Sequence, residues 1–227
     1  MRVVSLVPSV SETLRRWGVE PVAVSRFCEQ PDLPTVGGTK DPDIAAIVGL
    51  APDLVVLDRE ENRREDAEAL VAAGLALHVT HVTALADVAP MLDALAAAVG
   101  VATPAPAPVA MAVPSAVERR AFVPIWRRPW MTCNGDTYGM SLLRALGIVG
   151  CFDDAPVRYP TVELDDVVAR APDLVLLPSE PYPFAERHVP ELLAVAADVR
   201  LIDGRDLFWW GVRTPDALVR LGQVLGA

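Results

Sequence analysis

No stretch of this sequence approaches the run of about 20 apolar residues that a membrane span requires. Apolar residues nevertheless make up 52% of its 227 residues and the mean hydropathy is +0.32. That apolar content comes as short runs of Ala, Val and Leu, which excludes membrane insertion and points to a globular core. Cysteine is scarce: Cys28, Cys133 and Cys151 are odd in number and form no CxxC pair, so neither a disulfide framework nor a zinc knuckle is expected. Positive charge is also in deficit. A net charge of −10 and a pI near 4.7 argue against nucleic acid as a partner. The start, Met1 to Pro8, has too short an apolar core for a signal peptide and reads as a first strand. The expectation is therefore a cytosolic protein.

Catalytic signatures are missing as well. There is no GxSxG, no GxGxxG and no local pairing of Ser with His. Val36-Gly-Gly38 is too short for a dinucleotide fingerprint. His78 and His81 are three apart in an expected strand, so they point to opposite faces and cannot share a metal; His81, at the strand end, is the better candidate for a ligand contact. A bare-metal site needs three or four converging ligands, and the spacing offers none. Any metal is expected inside an organic chelate.

What is present is alternation of strand and helix. Arg2 to Val7 reads as a strand, and Ser9-Val-Ser-Glu12 as a capping box opening a helix that stops at Gly18. Pro21 to Ser25 is a second strand, and Asp41-Pro42 a helix start with Asp41 as cap. Pro52 to Leu57 is a continuous apolar run, as in a strand covered on both faces. Asn62 is expected to cap a helix ending near Gly74, followed by a strand at Leu75 to Thr80 and a helix from about Thr83 to Val99. Val101 to Pro108 carries Pro104, Pro106 and Pro108, which interrupt any helix and favour a stiff connector. Beyond it come a short helix ending near Arg119, a strand at Ala121 to Ile125, a loop Trp126 to Met131, and a helix from Asp136 to Leu146.

The two halves repeat each other. Ala51-Pro-Asp-Leu-Val-Val-Leu-Asp-Arg-Glu60 recurs as Ala171-Pro-Asp-Leu-Val-Leu-Leu-Pro-Ser-Glu180. This implies an α/β fold of two Rossmann-like lobes with parallel sheets: 1–82, a connecting segment 83–119, and 120–227.

Ligands of parallel sheets sit outside the carboxyl ends of the strands. The corresponding loops are Pro8-Ser9, Arg59 to Asn62, Trp126 to Trp130, Glu180 to Phe184 and Phe208 to Arg213. Four of the five tryptophans fall there although aromatics are only 6% of the chain, which suits a bulky, partly apolar ligand. The candidate contacts are Pro8, Ser9, Arg59, Trp126, Arg127, Trp130, Glu180, Tyr182, Phe184, His188, Trp209, Trp210 and Arg213. One of the adjacent Trp209 and Trp210 is expected to seal the core instead. Arg127, Arg128 and Arg213 are suited to ligand carboxylates or phosphates. Ser9 reads either as a plain helix cap or as a donor to an anionic group. Glu60, Glu61, Glu65 and Asp66 are explained by a helix dipole.

Ser5-Leu-Val-Pro-Ser9 with Glu12-Thr13, Val36-Gly-Gly38, Ala51 to Leu57 with Glu61-Asn62, and Pro172 to Leu177 resemble in order and spacing the class III periplasmic binding-protein family. These are the helical-backbone metal receptors, among them the cobalamin- and siderophore-binding components of ABC importers. The segments Ile125 to Met131, Glu180 to Phe184 and Trp210 to Arg213 look like those of a branch without an export signal. The resemblance implies two lobes joined by a backbone helix, here proline-interrupted, in a chelatase-like arrangement with a chelate bound between them. It implies no required cofactor. The partner would be a small-molecule chelate (a corrinoid, haem-like or siderophore type), and docking to an ABC permease is not expected without export. Two alternatives stand beside non-catalytic binding: an enzyme acting on a tetrapyrrole-like metabolite in the same cleft, with His188 and Glu180 as its working groups, and a protein-interaction module.

Overall fold

The computed structural model describes residues 1–102 and 119–226. The chain forms two compact units. The first comprises Met1–Val82, the described residues 86–102, and Trp210–Val212; the second comprises Thr83–Leu85, 119–209 and 213–226. The expected proline connector and the short helix before Arg119 lie outside the described residues.

The first unit runs β1 (Val3–Ser5), α1 (Pro8–Arg16), β2 (Ala23–Val24), α2 (Ile44–Gly49), β3 (Leu54–Asp58), α3 (Arg64–Ala72), β4 (Leu77–Thr80) and α4 (Val88–Val99). Its strands pair in parallel in the order β2-β1-β3-β4. All five residues of the central β3 are buried, as the unbroken apolar run implies for a strand covered on both faces. Its core gathers Val4, Leu6, Ile47, Val55, Leu57 and Leu70. Burying each such side chain contributes about 2 kcal/mol.

The second unit runs β5 (Arg119–Phe122), β6 (Pro124–Trp126), β7 (Trp130–Thr132), α5 (Tyr138–Ala145), β8 (Ile148–Gly150), β9 (Thr161–Val162), α6 (Leu164–Ala169), β10 (Leu174–Pro178), α7 (Val189–Leu192), β11 (Asp198–Ile202), α8 (Gly204–Phe208) and α9 (Thr214–Leu225). Its main sheet is again parallel, in the order β11-β10-β5-β8. With β8, β5, β10 and β11 matched to β2, β1, β3 and β4, the two orders are the same. The repeat seen in the sequence is thus a repeat of topology, with β3 and β10 each central and fully buried.

Three expected helix starts are displaced, each for a local reason. Pro8 takes the first helical position, where its missing N–H costs nothing, so α1 begins two residues early and Ser9 lies inside the helix. Val7 stands at the cap without a side-chain hydrogen bond, and Glu12 pairs with Arg16 rather than closing a capping box. For α2 the cap is Asp43, which accepts from the Ala46 N–H, because Asp41 is engaged with Arg26. Asn62 does not cap α3. Its Oδ1 accepts from the Asp58 N–H at 2.7 Å and its Nδ2 donates to the Thr39 carbonyl, tying the end of β3 to a neighbouring loop.

The segment Trp126 to Met131 is not a loop but the turn and flanks of a hairpin. β6 and β7 pair antiparallel, β9 adds to β7, and Thr132 Oγ1 donates to the Val123 carbonyl. The stretch Ala121 to Ile125 is therefore two short strands, and the hairpin folds over the end of β5.

Candidate functional site

In each unit the strands of the four-stranded sheet are parallel, so their carboxyl ends share one edge of that sheet. In the second unit the adjacent β5 and β10 carry the informative loops. β5 leads into the β6–β7 hairpin, and β10 into residues 179–185. The two loops meet through a chain of rings. Trp126 lies edge-on to Tyr182 at 5.5 Å, and Tyr182 lies 4.7 Å from Phe184. Phe184 stacks on Trp130 at 6.0 Å, and Trp130 packs edge-on against Phe122 in the core. Exposure drops along this chain, from 45% at Trp126 to 4% at Phe184, 8% at Trp130 and 0% at Phe122. The inner rings anchor, and the outermost stands in solvent.

Arg127 lies over the Trp130 ring at 5.9 Å and pairs with Glu191 at 2.8 Å. That pairing raises the Arg127 pKa, chiefly through the Glu191 hydrogen bond. Arg128 is exposed in the hairpin turn with φ 67. His188 is buried against Tyr182 and Phe184, and its Nδ1 accepts from the Ala185 N–H at 3.0 Å. Of the residues singled out in the sequence, the second unit thus brings together Trp126, Arg127, Trp130, Tyr182, Phe184 and His188.

Two others sit apart from these rings. Glu180 packs its backbone on Gly204, where an added Cβ would lie 2.6 Å from the Glu180 nitrogen. Arg213 is buried, with its guanidinium 5.4 Å from the Trp209 ring and 3.5 Å from Asp206. Trp209 is half-buried. Of the two adjacent tryptophans, Trp210 is the buried one, at 4% exposure.

In the first unit, Pro8 and Ser9 follow β1 and Arg59 follows β3. Pro8 and Ser9 are buried, and Ser9 Oγ has no hydrogen-bond partner among the described residues. Arg59 is exposed on a turn organised by the buried Asp58. That carboxylate accepts from the Glu60 N–H at 2.8 Å and from Thr80 Oγ1 at 2.8 Å, while burial raises its pKa.

Sequence reasoning missed one feature of this edge. The loop after β2 carries Arg26 and Phe27, with the guanidinium 5.2 Å from a ring that is 54% exposed. Asp41 fixes Arg26 at 2.8 Å. The Val36-Gly-Gly38 motif makes room for the pair. A Cβ on Gly38 would lie 2.4 Å from Asp41 Oδ1, and Gly37, at φ 86, packs against the Asp41 carbonyl. Applying the strand-end rule to the short second strand would have found Phe27.

His78 and His81 each have one buried ring nitrogen without a partner among the described residues, and burial lowers the His78 pKa. Among the described residues no group of three or more His, Cys, Asp or Glu could hold a metal ion, and no helix is long and apolar enough to cross a membrane.

No family model matches the chain. A vitamin B12-binding protein of Yersinia pestis (strain Pestoides F) is 25% identical over 196 residues, covering 78% of this chain and 69% of that protein. The periplasmic vitamin B12 binding protein BtuF of Vibrio cholerae superposes with a TM-score of 0.81 at 20% identity, covering 99% of this chain and 96% of that one. The apo form of the periplasmic heme-binding protein RhuT from Roseiflexus sp. RS-1 gives 0.82 at 20% identity, covering 98% and 97%.

These findings correct one expectation. Both of those structures are of periplasmic proteins, which overturns the cytosolic placement read from the start of the sequence. The ground for doubting an ABC permease partner falls with it. In sequence and in fold, the chain resembles the class III periplasmic binding proteins, the helical-backbone metal receptors.

Proposed function

We propose that this protein is a non-catalytic solute-binding protein for a bulky metal chelate of the corrinoid, haem or siderophore kind. The observation that carries this reading is the ring chain from Phe122 through Trp130, Phe184 and Tyr182 to the half-exposed Trp126. Such a surface offers a large flat apolar contact on a rigid base, and pre-organised aromatics lose little freedom when a ligand docks. Arg127 at its margin, over the Trp130 ring, adds a charged contact of the kind a chelate's carboxylates would meet. The likeness to proteins named for vitamin B12 and heme supports a chelate in particular. The metal would arrive inside it. Delivery to an ABC permease from the periplasm follows from the same likeness.

Titration of tryptophan fluorescence with cyanocobalamin, haemin and a ferric hydroxamate siderophore tests the reading. Saturable quenching by at least one of them is expected. Linear, non-saturating quenching by all three would overturn it.

A further inference from the structure

The sequence offers His188 as a ligand contact, but its ring is engaged from within. The Ala185 N–H donates to Nδ1 at 3.0 Å, and the His188 N–H donates back to the Ala185 carbonyl at 2.8 Å, closing a clasp at the foot of the β10 loop. The imidazole lies 5.6 Å from the Tyr182 ring and 5.4 Å from Phe184, edge-on to both, and is 5% exposed. Phe184 is tied to the same loop by its N–H, which donates to the Tyr182 carbonyl. The histidine is therefore a wedge against Phe184 and Tyr182, the second of which carries Trp126.

We propose that His188 is a positioning residue: its neutral imidazole, held by the Ala185 amide, sets Phe184 and Tyr182 in the arrangement that supports the exposed Trp126, and protonation releases them. A backbone amide can only donate, so the clasp exists only while Nδ1 keeps its lone pair. A proton on Nδ1 places two N–H groups head to head and opens the 185–188 turn. The charged groups around the ring are Arg187 on its own turn, Arg127 on the β6–β7 hairpin and Glu191 on α7, with the Tyr182 hydroxyl group on the β10 loop. Burial comes first in holding the imidazole below its ordinary value of 6.5; Arg187 and Arg127 add to it and Glu191 opposes. The residue is thus neutral at pH 7. As pH falls below 6.5 the opened turn takes up the proton first, so the clasp weakens toward acid. The consequence for ligand rests on the chelate-binding reading: affinity for a bulky aromatic-contacting ligand falls in mild acid, as the competent arrangement becomes a smaller fraction of the population.

The decisive experiment has one arm without ligand and one with it. In the free protein, tryptophan fluorescence and the 15N-resolved Ala185 amide are followed from about pH 8 to about pH 4.5 in the wild type, in His188→Asn, which keeps an acceptor that does not titrate, and in His188→Leu, which has none. Expected are a single wild-type transition below pH 6.5 shared by both signals, no transition in His188→Asn, and an acid-like spectrum at all pH values in His188→Leu. A wild-type Ala185 amide that does not move, or the same transition in His188→Asn, would overturn the proposal. Should either variant fail to fold by circular dichroism, the wild-type amide still decides it. In the second arm, cyanocobalamin affinity is expected to weaken about fivefold or more between about pH 7.5 and about pH 5 in the wild type, and by less than about twofold in His188→Asn. Equal weakening in both proteins would also overturn the proposal. No binding of any chelate at either pH would defeat the chelate reading while the ligand-free arm still decides the role of His188.

Discussion

Ala51 and Ala171 occupy the same strained backbone position in the two units. Their φ angles are 45° and 49°, each stands one residue before a proline, and each N–H bonds to the carbonyl three residues back at 3.0 Å and 2.9 Å. Both lie one position past the helix cap, at Leu50 and Arg170, where a left-handed residue ends a helix and glycine is the usual choice. An alanine there costs about 1 kcal/mol or more. The repeat therefore extends from sequence through topology to an unfavourable backbone angle kept in both copies.

Replacing these alanines is predicted to stabilise the protein. Ala51→Gly and Ala171→Gly relieve the Cβ clash but loosen the unfolded chain, so each should gain about 0.5–1 kcal/mol. Denaturant midpoints measure it. The two gains should add, because the sites lie in separate units.

Truncating Trp126 should separate binding from stability. Its ring is 45% exposed and meets Tyr182 from outside. Trp126→Ala is expected to change unfolding free energy by less than about 1 kcal/mol. The same change should weaken chelate binding by about tenfold or more, as loss of an aromatic anchor does. Calorimetry on the variant reads both quantities.

Glycines with positive φ are predicted to differ sharply from one another. At Gly18, with φ 75, an added Cβ would meet nothing within 4 Å, so Gly18→Ala should cost about 1 kcal/mol from the backbone alone. Gly37, at φ 86, would place a Cβ 2.5 Å from the Asp41 carbonyl, and Gly37→Ala should cost about 3 kcal/mol by adding backbone displacement to the strain. That displacement should also disturb the Arg26–Asp41 pair and shift the Phe27 ring, which 1H NMR detects.

Acid stability carries the signature of Asp198. Hydrogen bonding to Arg200 first, and then to Arg119, pulls its carboxyl down to about 2 against the opposing effect of burial. The unfolded chain binds this proton near the ordinary value of 3.8, so stability rises with pH between about 2 and 3.8. The contribution is complete above that window and vanishes as pH falls through it. Because the side chains are about 30% exposed, the pair contributes about 1 kcal/mol. Asp198→Asn should thus be less stable than wild type at pH 7 by about that amount, and the gap should close toward pH 2.

Legibility in the sequence follows the range of the interaction. Leu54–Asp58 and Leu174–Pro178 are readable as central strands, since a strand covered on both faces must be apolar along its whole length. The ends set by Gly18 and Gly147 are readable because both take positive φ. The start of α1 is misread from sequence, since two local signals compete and Pro8 prevails over Ser9. The β6–β7 hairpin is hidden because Trp126-Arg-Arg-Pro-Trp130 has no glycine turn, and its pairing with β9 joins residues about 30 positions apart.

The site divides along the same line. The sequence alone determined that two similar parallel units exist, and which loops leave the carboxyl ends of β3, β5 and β10, because both follow from hydrophobic period and repeat. Phe208 to Arg213, expected as another such loop, instead joins α8 to α9, because a short helix capped by Asp203 follows β11 directly. Only the tertiary structure decided what each side chain in those loops does. Trp126, Tyr182, Phe184 and Trp130 converge because β5 and β10 are neighbours in the sheet, a pairing across some fifty residues that no local pattern encodes. Arg213 turns inward to Asp206, and His188 becomes an acceptor wedged against the rings rather than an exposed contact. Composition chose the kinds of group at the strand ends, and packing chose which of them face out.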